Sequence, residues 1–223
     1  MAKKRKNNTS KLNPTILLIG VITILVLGAL GVQVPNQIQE FFGLGTTTVS
    51  QAPEPPQKGN SKEPEELGTA SFSAEELKNS QKGWITYHEL DSEGRATGAD
   101  ALLKPAMVNT GTTADQNLRP PGFVSGKEPY GHSRGHLIGR QLGGTGDDMR
   151  NLTTLYQTPV NAPYMTKYEN QIRSALDKGE TVRYRVTPLY EGSEPLCKSI
   201  ELEAKGLNKN TEIDFLVRII NER

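Results

Sequence analysis

The strongest hydrophobic pattern in the chain is an unbroken run. Ile16 to Val34 reads ILLIGVITILVLGALGVQV and carries no charge. As a helix its 19 residues would rise about 28 Å, close to the ~30 Å hydrocarbon core of a bilayer. It has no polar face, which argues against a buried core helix of a soluble domain. The pattern then dissolves. Residues 35–70, including QAPEPPQKGNSKEPEE, are rich in Pro, Glu, Gln and Lys and hold few large apolar groups. Such a stretch cannot bury enough surface to offset ordering, so it reads as a flexible linker, with a short amphipathic turn at Gln37–Leu44.

Periodicity returns near Ser71. Ser73-Ala74-Glu75-Glu76 has the form of a capping box ahead of a short helix. Trp84 to Leu90 (WITYHEL) alternates apolar and polar positions, and Glu93-Gly94-Arg95 marks a turn, which predicts a hairpin into Ala99–Leu103. Residues 105–132 are dense in Gly, Pro and Asn and read as irregular. Ala162 to Lys178 predicts a helix, with Pro163 in its first turn and Gly179 as its terminator. Thr181–Leu189, Ser199–Ala204 and Ile213–Ile220 predict three strands. The fold class expected is α+β, an antiparallel sheet with at least one substantial helix. The expected organisation is a basic tip and membrane segment over 1–34, a linker over 35–70 and a folded domain over 71–223.

Charge gives that organisation an orientation. Residues 1–12 hold five Lys and Arg and no acid, and no further Lys or Arg follows until Lys58. The positive-inside rule then leaves the N-terminus in the cytoplasm and the rest outside, as a single-pass membrane protein with an extracellular domain. A cleaved signal peptide ending near Ala29-Leu30-Gly31, giving a secreted protein, is the alternative. Residues 71–223 hold 19 Lys and Arg against 20 Asp and Glu. The domain therefore lacks the basic excess that many nucleic-acid binders show, and any basic surface must come from arrangement. The single cysteine, Cys197, excludes an intrachain disulfide and reads as a small buried apolar residue rather than a nucleophile.

The chemistry concentrates in Gly131–Gly144, GHSRGHLIGRQLGG. Its glycines permit unusual backbone angles and close approach of a bulky substrate. His136 is a candidate base, because imidazole titrates near neutrality, and Arg134 a candidate phosphate clamp, because guanidinium is permanently charged and planar. His132 and His136 stand four apart, a zinc spacing on a helix, but Gly131 and Gly135 disfavour a helix and no third His or Cys is near. A structural glycine turn with incidental histidines is the plainer alternative. Downstream, Asn161 could cap the predicted helix or offer its amide oxygen to a hard cation. At about 100° per residue, Glu169 and Arg173 fall roughly 80° and 120° from Asn161, so all three could face one side. An ordinary surface ion pair between Glu169 and Arg173 is the competing reading.

Together, Arg134-Gly135-His136-Leu137-Ile138-Gly139, Arg150-Asn151-Leu152-Thr153, Asn161, Glu169 and Arg173 resemble the DNA/RNA non-specific endonuclease family, which includes streptococcal-type DNA-entry nucleases and secreted DNases of the ββα-metal (His-Me finger) class. The likeness extends from Gly83-Trp84-Ile85-Thr86-Tyr87 to Tyr184–Gly192, and so covers roughly residues 80–220. Many members have Asp directly before Arg-Gly-His, where this chain has Ser133, and the asparagine spacing differs slightly from the better-known branch.

The resemblance implies a ββα-metal motif and a metal-dependent endonuclease hydrolysing phosphodiester bonds of DNA, with RNA as a second substrate. It implies His136 as the base that deprotonates water, Asn161 as the main protein ligand of one Mg2+ (or Mn2+ in its place) and Glu169 as the holder of metal-bound waters. Arg134 and Arg173 would stabilise the charged transition state, and Asn151 would support catalysis or orient the base. The products would carry 5′-phosphates. No obligate protein partner is implied beyond the nucleic acid and the membrane. A catalytically silent surface module that binds nucleic acid or a partner is the alternative; such a module would be free to lose part of the set, and none of it is missing.

Overall fold

Strict alternation in the C-terminal third builds the frame of the molecule. The computed structural model describes residues 63–126 and 130–223. The expected membrane segment, basic tip and most of the linker lie outside the described residues, among which no helix is long and apolar enough to cross a membrane.

Strands β1 (Glu65–Gly68), β2 (Trp84–Tyr87), β3 (Ala99–Leu103), β6 (Val182–Leu189), β7 (Ser199–Gly206) and β8 (Asp214–Ile220) form a six-stranded sheet in the order β1-β8-β7-β6-β3-β2. Every neighbouring pair is antiparallel. On β6, Val182, Tyr184 and Val186 are buried in the apolar core with Ile200, Leu202 and Ala204 of β7 and Val217 and Ile219 of β8. The intervening Arg183 and Arg185 face the other way, as period-two geometry requires. There Asp100 accepts from the Nε of Arg185 at 2.9 Å and from Arg183, and the two guanidiniums lie over Phe72.

The second layer carries β4 (His132–His136) paired antiparallel with β5 (Leu152–Tyr156), followed by α1 (Thr166–Asp177). This is the strand–strand–helix order that the resemblance implies. Tyr168, Ile172, Ala175 and Leu176 of α1 join the core. The end of α1 is a Schellman closure: Gly179 N–H donates to Leu176 O at 2.9 Å and Glu180 N–H to Ala175 O at 3.0 Å, with Gly179 at φ +88.

Three expectations are corrected. The sheet starts inside the supposed linker, at β1. All four β1 residues are exposed, and β1 is held by backbone pairing to β8 plus a Glu65–Arg218 ion pair of 3.8 Å, so it leaves no hydrophobic signature. The capping box forms, with Glu76 N–H donating to Ser73 Oγ at 3.3 Å and Ser73 N–H to Glu76 Oε2 at 2.9 Å, but it closes one turn only. The main helix starts at Thr166, not Ala162. Pro159 and Pro163 hold the residues before them extended (Thr158 φ −127, ψ 129; Ala162 φ −145, ψ 126), so Gln157–Met165 is a kinked, irregular helical segment that leads into α1.

Candidate active site

His136 ends β4, pointing away from the core because Gly135 faces Leu155. Its Nε2 lies 3.1 Å from the carbonyl of Thr112. A carbonyl only accepts, so the proton of the neutral ring sits on Nε2 and the lone pair is left on Nδ1. Thr112 is itself fixed: its N–H donates to Gly144 O at 3.1 Å and its hydroxyl accepts from Gly146 N–H at 2.7 Å. Burial lowers the His136 pKa, the Thr112 bond opposes that, and the charge of Arg140 lowers it further, for a net downward shift. The ring is therefore neutral at neutral pH.

The loop after β4 is stapled by Asn151. Its Oδ1 accepts from Ile138 N–H at 2.9 Å, while its Nδ2 donates to Thr145 O at 2.7 Å and Ile138 O at 3.2 Å. Fully buried, with its amide committed to backbone on both sides of the loop, Asn151 does not line the cleft described next.

His136, Gly139, Arg140, Gln141, Asn161, Thr166, Glu169 and Asn170 line one open cleft of about 460 Å³. Three of the sequence candidates thus meet although they come from β4, the irregular segment and α1. Asn161 reaches the cleft from the kinked segment, directly before extended Ala162, rather than as the N-cap of α1. Its Nδ2 donates to Gln157 Oε1 at 3.1 Å, which leaves Oδ1 to accept or coordinate. Thr166 Oγ1 donates to the Asn161 carbonyl at 3.0 Å and holds the residue against the start of α1.

Glu169 is 9% exposed. Burial drives its carboxyl up to about 7, against the partial opposition of Gln141 Nε2 (3.4 Å) and the Gly139 N–H. Among the described residues no Lys, Arg or His lies within ion-pair distance of it. A buried carboxylate without a cation, beside a free amide oxygen, is a donor set of hard oxygens suited to Mg2+ and poor in the nitrogen and sulfur that favour zinc. Among the described residues there is also no cluster of three His, Cys, Asp or Glu able to hold a metal without such amide and water ligands.

The expected arginines are placed differently. Arg134 lies on β4 but does not line the cleft; its Nε donates to Leu118 O at 2.7 Å, its Nη2 to Gln116 O at 2.9 Å, and the guanidinium stacks 4.2 Å from the Phe123 ring centroid. Arg173 pairs with Asp177 at 2.9 Å and donates to Asn109 Oδ1 at 2.9 Å, so the surface pair with Glu169 does not form. Sequence reasoning missed Arg140, Gln141, Thr166 and Asn170. The one signal for Arg140 was its place in the glycine-rich run. His132, the other half of the zinc spacing, packs among Phe123, Tyr130 and Tyr156 and accepts from Val124 N–H at 3.2 Å. Cys197 is buried, and burial pushes its thiol up to about 12, which keeps it from acting as a thiolate.

Residues 75–208 match the sequence profile of the DNA/RNA non-specific endonucleases. Among solved structures, NucA from Streptococcus agalactiae with magnesium ion bound is similar at a TM-score of 0.59 and 25% identity, covering 70% of this chain and 78% of that one. The Sda1 nuclease with bound zinc ion gives a TM-score of 0.61 at 19% identity, covering 72% and 90%. An extracellular endonuclease gives 0.50 at 24% identity, covering 72% and 89%. The latter two likenesses speak for the fold.

Proposed function

The chain belongs to the DNA/RNA non-specific endonuclease family, and from that premise we propose that it is a Mg2+-dependent endonuclease cutting phosphodiester bonds of DNA, and of RNA, outside the cell. The observation that carries the reading is the convergence of His136, Asn161 and Glu169 on one cleft. The magnesium bound to similar NucA supports the choice of ion. The basic tip and apolar run support export, with the protein kept at the membrane by an uncleaved segment or released by cleavage.

In this reading Nδ1 of neutral His136 takes a proton from a water molecule, whose oxygen forms a bond to phosphorus as the bond to O3′ breaks. The leaving oxygen takes a proton from solvent, and the product carries a 5′-phosphate. Asn161 Oδ1 and the Glu169 carboxylate, the latter through water, would hold the Mg2+, which supplies Lewis-acid stabilisation of charge on the departing oxygen. Thr112 fixes the tautomer of the base. Asn151 acts as a positioning residue, because it holds the loop that follows His136. Arg134 and Arg173 contribute at one remove, Arg134 by fastening the 116–118 backbone along β4 and Arg173 by tying α1 to Asn109. Substrate binding rests on phosphate contacts, which position the strand without reading sequence.

The test is cleavage of plasmid DNA and of RNA by the full-length protein, with Mg2+ and with EDTA. Mg2+-dependent nicking of both, lost in His136→Ala, is expected. No cleavage, or full activity in His136→Ala, would sink the reading.

A further inference from the structure

We propose that Arg140 is the substrate-contacting cation of the cleft, holding a non-bridging oxygen of the phosphodiester beside His136. The inference rests on the nuclease reading and adds to it a residue that the family resemblance did not supply. Three arginines compete for the role, and their surroundings separate them. Arg134 is turned to backbone carbonyls and to a ring, and Arg173 is neutralised by Asp177. Arg140 is exposed and lines the cleft with His136. Among the described residues its one side-chain hydrogen bond is a long one, 3.3 Å from Nη1 to Thr113 Oγ1, and no carboxylate lies within ion-pair distance. Most of the five N–H donors of its guanidinium are therefore left to a ligand.

The mounting of this side chain is rigid although its head is free. Arg140 opens a 3-10 turn, Arg140–Leu142, closed by Gly143 N–H donating to Arg140 O at 3.2 Å. Gly111 packs directly on that backbone: a Cβ there would stand 2.6 Å from Arg140 O and 2.9 Å from its Cα. The cation is close enough to the imidazole to disfavour protonation of His136. A charge in that place adds to burial, the larger cause, in disfavouring protonation of the base, and attracts the anionic group that the base must attack beside. The chemical class of ligand is a phosphate diester, which guanidinium matches in charge and in planar, two-pronged geometry.

The experiment measures binding of the full-length protein to a fluorescein-labelled single-stranded DNA oligonucleotide in EDTA, by anisotropy, as a function of salt. Each phosphate contact to a single strand contributes about 0.7 to the slope of log K against log salt. Arg140→Ala is expected to flatten the slope by about that amount. On plasmid with Mg2+ it should lower kcat/KM by about 100-fold, the scale of removing one donor from a charge-stabilising site. Arg140→Lys, which keeps the charge and loses the fork, should keep the slope and recover part of the rate. A purely structural role for Arg140 would shift the intercept and the melting temperature but leave the slope. Wild-type slope and rate in Arg140→Ala would overturn the proposal. Should Arg140→Ala not fold, Arg140→Gln replaces it, and equal slopes for the Gln and Lys variants overturn the proposal in the same way. Failure of the underlying reading looks different: the wild-type protein itself would not cut.

Discussion

A methyl group on Gly139 would stand 2.4 Å from Oε1 of Glu169, so the carboxylate occupies the space that any side chain at 139 would fill. Gly139 has ordinary extended angles, φ −62 and ψ 150, so an alanine there carries no backbone strain. What must move is the far end of Glu169. Gly139→Ala should therefore cost about 1 kcal/mol of stability, the low end of the overpacking range, because the atoms that must give are the end of one side chain. Mg2+-dependent cleavage should fall at least 10-fold. Thermal melts beside plasmid nicking check it, and a variant that unfolds as readily as it loses activity would refute this division of effects.

Glu169 also sets a cost on the metal-free fold. Its carboxyl is raised from the ordinary range to about 7, chiefly by burial. Below the unfolded value near 4.5 the group is protonated in both states and costs nothing. Between there and about 7 the folded protein holds a proton that the unfolded chain has released, so stability falls as pH rises. Above 7 the penalty is complete, on the order of 3 kcal/mol as an upper bound. Glu169→Gln in EDTA should thus be more stable than wild type at pH 8, with the advantage vanishing near pH 4.5. Saturating Mg2+ should raise the melting temperature of the wild type by more than that of the variant, which keeps only Asn161 as a ligand. Denaturant unfolding at the two pH values decides it; equal stabilities at pH 8 would count against a buried, uncompensated carboxylate.

Asn151 should behave as a staple. Removing its amide in Asn151→Ala strands Ile138 N–H, Ile138 O and Thr145 O, for a loss of roughly 3 kcal/mol. Well below its lowered melting temperature, however, the folded fraction should keep far more activity than His136→Ala, because His136 and the cleft remain. If Asn151→Ala is fully folded yet as dead as His136→Ala, then Asn151 has a direct chemical part.

How much of this was legible in the sequence varies from element to element. Strands β6, β7 and β8 were readable because one face is core and the other is not, so alternation is imprinted. β5 was not, since LTTLY is buried along four of its five residues and does not alternate. β4 was hidden in a glycine-rich run, where Gly135 is required by the packing of Leu155. The helix start was set too early because Ala162, held extended by Pro163, kinks the chain there before the regular α1 begins at Thr166. At the site, His136, Asn161 and Glu169 were found through the ordered motif. The arginines could not be sorted that way, since what turns Arg134 away is the pair of carbonyls at Gln116 and Leu118, and nothing in the local sequence announces them.

The far face of the sheet supplies a prediction for acid. Burial alone would raise the Asp100 carboxyl, but Arg183 above all, then His88 and Arg185, outweigh it and hold the pKa below the usual carboxylate range. A depressed carboxylate contributes stability that is present above the unfolded value near 3.8 and is lost as pH falls through the folded one. Asp100→Asn should remove that acid-sensitive contribution. At neutral pH it should destabilise the protein by about 3 kcal/mol, because Arg183 stays buried with its anion gone. The two proteins should then converge in stability as pH falls below 4. Urea unfolding from pH 7 down to pH 3 measures both curves. A gap that stays constant across that range would show that Asp100 acts through packing rather than through its charge.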